Sequence, residues 1–284
     1  MNLPVRPGFE GIGPARLRVL GGPVLAELQS RFGADAAAKV LAGEVLCADG
    51  SVVTASTVLP VGACVYWYRD LPDEVAVPFE MPVLYRDENI VVVDKPHFLA
   101  TMPRGVHVVQ SAVVRLRREL GEWELSPAHR LDRLTAGVLV FTARRQVRGA
   151  YQTLFSSGAV SKTYLARSSA GVLAEPVLLR TRIVKRRGSL QAVQEPGEVN
   201  AVTFVEPLGD GLFRLTPSTG RTHQLRVHMT SLGLPIDGDP LYPDVLDVAA
   251  GDFSTPLQLL ARRLSFVDPL TGDTREFVSR RTLG

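Results

Sequence analysis

Two short apolar runs constrain this chain more than any other feature. Ile90-Val91-Val92-Val93 and Val138-Leu139-Val140-Phe141 are flanked by polar or turn residues, and each is the length of a strand. Both predict buried β-strands. The first stops at Asp94-Lys95-Pro96. The second is preceded by His129-Arg130-Leu131-Asp132-Arg133-Leu134-Thr135-Ala136-Gly137, which packs five polar groups into nine residues. An Asp–Arg pair closing a loop is the plain structural reading of that segment. The functional one is a carboxylate presented between two arginines, in a turn just ahead of a buried strand.

Charge supports the second reading. Residues 1–80 hold 6 Lys+Arg against 9 Asp+Glu, whereas residues 115–187 hold 15 against 5. That concentration surrounds Asp132, and its natural partner is an anionic polymer. Of the 32 cations 28 are Arg, which suits planar contacts to phosphate and base. With 45% hydrophobic and 21% charged residues the chain has ample material for a core. No apolar run approaches the ~18–20 residues that span a membrane. Met1–Glu10 lacks a secretory apolar core, and Cys47 and Cys64 lack a paired metal spacing, so a reducing cytoplasm is expected.

In chain order, the glycines and prolines of residues 1–24 predict a loosely ordered lead-in. Leu25, Leu28, Phe32, Ala36 and Val40 predict two short helices broken near Gly33, and Asp49-Gly50 a hairpin. Leu71 to Pro82 reads as a linker, which sets domains at 1–77 and 78–284. Val113, Leu116 and Leu120 predict a helix whose Arg115, Arg117 and Arg118 form a solvated face. Val147, Tyr151, Leu154 and Phe155 predict another. In the strand that follows, Lys162 and Tyr164 share a face. Leu225, Met229 and Leu232 mark a last helix after Gly220. His223 and His228 are five apart, which disfavours a zinc pair on one helical face.

Three of these segments carry a resemblance. His129–Gly137 resembles the His-Arg-Leu-Asp-x-x-Thr-Ser-Gly signature of RluA-type pseudouridine synthases, with Ala136 in place of Ser. Lys162-x-Tyr164 and Gly220-Arg221-Thr222-His223-Gln224-Leu225-Arg226-Val227-His228-Met229 resemble that family's second and third motifs, in order. The ending Leu257–Phe266 is similar too, with Leu260 where the family has His. The resemblance spans residues 83–278. Residues 1–77 resemble more weakly a small RNA-binding domain first described in a ribosomal protein, here a degenerate copy.

The resemblance implies an α+β fold: a mixed, largely antiparallel sheet flanked by helices, with a small N-terminal α/β domain. It implies isomerisation of uridine to pseudouridine in structured ribosomal or transfer RNA, by a cytoplasmic monomer needing no cofactor, metal or membrane. Asp132 would be the nucleophile. Arg221 would pair with it, and Tyr164 would stack under the base and remove a ring proton, with Lys162 favouring the phenolate. Arg130 would fill the gap left by the extruded uridine, and His129, Lys162, Arg133 and His223 would contact substrate. The alternatives are a non-catalytic RNA-binding or ribosome-assembly protein of the same fold, and an aspartyl phosphohydrolase, which would need further carboxylates around Mg²⁺.

Overall fold

The computed structural model of the chain describes residues 11–284, and its backbone separates into two compact units, Met1–Asp73 and Glu74–Gly284. The first holds β1 (Ala15–Arg18), β2 (Gly22–Pro23), α1 (Val24–Phe32), α2 (Ala34–Leu41), β3 (Leu46–Cys47), β4 (Val58–Leu59) and β5 (Cys64–Trp67). Its sheet runs β1-β5-β3, and β2 pairs with β4. The helices break at Gly33, whose φ of +84° a side chain rarely adopts. Leu17, Val19, Leu28, Val40, Val65 and Trp67 form the core.

The loose lead-in expected for residues 1–24 is corrected in part: β1 pairs in full with β5, Arg16 opposite Tyr66. Leu17 and Val19 point inward while Arg16 and Arg18 face water, a period-2 signal obscured by the surrounding glycines and prolines. The expectation for residues 1–10 lies outside the described residues. Both helix cations are used internally: Arg31 binds Glu27 at 2.9 Å, and Lys39 binds Asp70 at 2.8 Å and Glu44 at 3.2 Å.

The second unit continues with β6 (Val83–Arg86), β7 (Ile90–Lys95), α3 (Ala112–Leu120), β8 (Ser126–Pro127), β9 (Ala136–Thr142) and α4 (Arg148–Ser156). Then follow β10 (Ser161–Arg167), β11 (Val177–Val184), β12 (Val193–Glu195), β13 (Ala201–Gly209), β14 (Leu212–Pro217), α5 (Gln224–Ser231), β15 (Leu259–Val267) and β16 (Thr274–Val278). One 11-stranded sheet takes the order β12-β11-β13-β14-β10-β15-β9-β7-β6, with β16 on β15 and β8 on β9. Its pairs are antiparallel except β9 with β15, so the fold is the expected α+β type.

Every residue of β7 and β9 is buried, as their apolar runs require. On one face Ile90, Val92, Val138 and Val140 pack against Val147 and Tyr151 of the α4 region. α5 lies on β11 and β13, where buried His228 meets the hydroxyls of Thr181 and Thr203, each at 2.8 Å. The solvated cationic face expected on α3 is found only at Arg118, which is exposed; Arg115 and Arg117 are partly buried. Arg115 donates to the carbonyls of Val77 (2.6 Å) and Phe79 (3.0 Å), and Arg117 to that of Leu125. These carbonyls lie in extended segments without strand partners, so guanidiniums satisfy them. Among the described residues no helix is long and apolar enough to cross a membrane.

Candidate active site

The loop His129–Thr135 leaves β8 and enters β9 at Ala136, where β9 runs parallel to β15: Ala136 faces Leu260, and Gly137 faces Ala261. Gly137 has φ +114°, and a Cβ there would lie 2.2 Å from the Ala261 carbonyl oxygen. Only glycine lets the two backbones approach this closely. That approach sets the loop at the edge of an open cleft of about 700 Å³.

Seven of the eight residues singled out from sequence line this cleft: His129, Arg130, Asp132, Lys162, Tyr164, Arg221 and His223. Arg133 does not. It is half-buried, with its guanidinium held below its ordinary pKa by burial and by Arg226 nearby, and its carbonyl accepts a bond from Lys95 at 3.3 Å. Among the described residues that line the cleft, Asp132 is the only carboxylate, facing the cations Arg130, Lys162, Arg221 and Arg226.

The Asp132 carboxylate lies 4.0 Å from Arg130, whose side chain is 57% exposed. The expected pairing with Arg221 is not made. Arg221 Nε donates instead to the Asn200 carbonyl at 3.0 Å, while Gln224 Oε1 holds its backbone N–H at 3.0 Å. Sequence reading gave no role to Arg226, the second arginine of the same segment. It is 2% exposed and held by both oxygens of Asp239, Nε to Oδ2 at 2.7 Å. The signal was available: an arginine between Leu225 and Val227, beside the apolar stripe of the helix, needs a partner if buried, and Asp239 lies in the adjoining Asp-Gly-Asp-Pro phrase.

The expected support of a Tyr164 phenolate by Lys162 is corrected. Burial, and then the Asp132 charge, push the Tyr164 phenol above its ordinary range. Lys162 Nζ lies over the Phe155 ring at 5.8 Å, its pKa lowered by burial. The two side chains do share a face of β10, and both line the cleft. His129 is committed to the scaffold: its Nε2 accepts the Val140 N–H at 3.2 Å and its ring stacks on Phe155 at 4.3 Å. Burial and Lys162 push it down to about 3, so it is a neutral acceptor. His223 Nδ1 lies 2.9 Å from the Tyr242 hydroxyl. Burial pushes it down to about 4 against the pull of Asp132, with Arg226 and Lys185 lowering it further.

Over residues 89–231 the sequence matches the RNA pseudouridylate synthase family. The tRNA pseudouridine synthase C of Vibrio vulnificus is 33% identical over 214 residues, covering 67% of this chain and 86% of that protein. The chain belongs to the RNA pseudouridylate synthase family. The dual-specificity RNA pseudouridine synthase RluA of Salmonella typhi is 32% identical over 208 residues, 69% of this chain and 90% of its own length. Among solved structures, human RNA pseudouridylate synthase domain containing 4 superposes with a TM-score of 0.54 at 27% identity, over 71% of this chain and 88% of that one. Human domain containing 1 has the same fold, with a TM-score of 0.59 at 23% identity over 74% and 86%. As a pseudouridine synthase, the chain is an enzyme that isomerises uridine in RNA.

Proposed function

We propose that Asp132 is the nucleophile and that the substrate is a uridine extruded from a structured transfer or ribosomal RNA. The observation that carries this reading is the lone carboxylate in a cationic cleft. Cations draw in the RNA backbone, and a carboxylate is a competent covalent catalyst. The further carboxylates with which an aspartyl phosphohydrolase holds Mg²⁺ are missing from the described lining.

The reaction breaks the bond from base nitrogen to sugar, forms a bond from ring carbon 5 to the sugar, removes the proton from that carbon and returns one to the nitrogen that was released. Tyr164 supports the base in the cleft. Its phenol is held protonated at rest by burial and by Asp132. The proton on carbon 5 leaves only after that carbon has bonded to the sugar, and Tyr164, in the cleft beside the base, is the group that takes it up and passes one on. Arg130 is mostly exposed and adjacent to Asp132, so its guanidinium is free to occupy the space of the extruded base and offset part of the few kcal/mol that extrusion costs.

Pseudouridine mapping of total RNA from cells with and without the protein identifies the target. On that RNA, Asp132→Asn should abolish product while affinity stays within about threefold, because shape and cationic lining persist. Tyr164→Phe should bind normally and stall after the glycosidic bond breaks. Substantial turnover by Asp132→Asn would sink the assignment.

A further inference from the structure

The loop that carries Asp132 makes little hydrogen bonding of its own, beyond the Thr135 N–H donated to the Asp132 carbonyl at 3.1 Å. Three of its carbonyls, those of Leu131, Arg133 and Leu134, go to one distant segment, the end of β7 and its connection to α3. The buried Thr101 hydroxyl donates to the Leu131 carbonyl at 2.7 Å and accepts the Leu131 N–H at 3.1 Å. Nδ1 of His97 lies 2.7 Å from the Leu134 carbonyl. A carbonyl only accepts, so that nitrogen carries the proton. Lys95, at the end of β7, reaches the Arg133 carbonyl between them. The main chain is therefore gripped on both sides of Asp132.

The gripping segment is itself strained. Phe98, between the two side chains, has φ +64°, which bulky residues rarely adopt. It is 6% exposed and packed against the rings of Phe79, at 6.1 Å, and Phe253, at 5.2 Å. Strain of this kind persists only where the surroundings over-determine it, and it gathers at sites whose geometry matters. Burial of an aromatic ring among two others is such a surrounding, and it holds the turn that lets His97 and Thr101 both reach the loop.

We infer that Thr101 and His97 are positioning residues for the isomerisation: they fix the backbone flanking Asp132, and hence the aim of its carboxylate. The inference rests on Asp132 as nucleophile. Its physical content is that an ångström of misplacement in a reacting group costs on the order of 10²-fold in rate without weakening substrate binding.

The test is single-turnover rate at saturating enzyme, RNA affinity and thermal midpoint for Thr101→Val, Thr101→Ser, His97→Ala and His97→Asn, beside Asp132→Asn. Thr101→Val keeps the shape and deletes the hydroxyl, and its rate should fall ~10²-fold with affinity within about threefold. Thr101→Ser should recover most of the rate, as should His97→Asn relative to His97→Ala, because each restores a donor. If Thr101→Val does not fold, the histidine pair reads the same effect. Wild-type rates in Thr101→Val and His97→Ala, with Asp132→Asn inactive, would show that the bonds serve stability alone and overturn the inference. A loss confined to affinity would overturn it as well. Turnover by Asp132→Asn would instead remove the reading on which it stands.

Discussion

Burial separates the two arginines of the Gly220–Met229 segment. Arg226 is 2% exposed and forked onto an Asp239 carboxylate that is 1% exposed and also accepts the N–H groups of Leu241 and Tyr242. Arg221 is exposed, with a single bond from its guanidinium to a carbonyl. A lysine keeps the charge at either position but loses the planar fork. Arg226→Lys leaves one buried carboxylate oxygen under-satisfied, which costs about 1–3 kcal/mol of stability, and it shifts the cation whose field His223 shares with Asp132. We expect kcat/KM to fall ~10²-fold in Arg226→Lys and no more than about tenfold in Arg221→Lys. The reverse order in steady-state kinetics would return the supporting role to Arg221. The spacing of the motif marks both residues; which one is buried depends on Asp239, 13 residues further along the chain.

At the scale of elements, the parallel junction of β9 and β15 joins the two departures noted in the motif resemblance. Ala136 stands for Ser and Leu260 for His, and the structure makes them partners across that junction, both fully buried. Two polar residues that satisfy each other there can be exchanged for two apolar ones at small cost, whereas one polar group alone would be buried without a partner. Ala136→Ser and Leu260→His should each destabilise by about 1–3 kcal/mol. The double variant should recover at least about 1 kcal/mol of their sum. Denaturant titration of all four proteins measures the coupling, and simple additivity would mean the two positions are independent. The apolar runs identified β9 and the nearby strands from sequence because a buried strand is written in consecutive residues. The partner of β9 is not so written, since pairing joins residues more than a hundred positions apart.

At the scale of the whole molecule, buried histidines and the two-unit division give two expectations. Burial pushes His129 to about 3 and both His223 and His228 to about 4, below the ordinary 6.5. The unfolded chain thus takes up protons between pH 6.5 and 4 that the folded chain refuses. The stability these histidines contribute is complete above pH 6.5 and is lost as pH falls through that window. The thermal midpoint should decline from pH 7 to pH 4.5, and His228→Gln should flatten the decline; a parallel pH profile in that variant would assign the loss elsewhere. The second expectation concerns RNA. Residues 1–73 hold 6 Lys+Arg against 7 Asp+Glu, and Arg31 and Lys39 are already paired, so the phosphate grip should lie in the second unit. A chain beginning at Glu74 keeps the carboxylate that accepts the N–H groups of Val109 and Gln110. It should retain most of the salt dependence of RNA affinity, where each neutralised phosphate adds about one unit of slope. A folded protein that lost that slope would place the grip in the first unit. The sequence by itself determined the buried strands, the turn presenting Asp132, and the three motifs that name the family, because each is encoded in residues adjacent along the chain or two to four apart. The tertiary structure alone decided that Asp239 holds Arg226, that Tyr164 lines the same cleft as Asp132, and that residues 95–101 grip residues 131–134. Those outcomes depend on burial and on contacts between distant segments, and local periodicity reports only which face a side chain takes, never what it meets there.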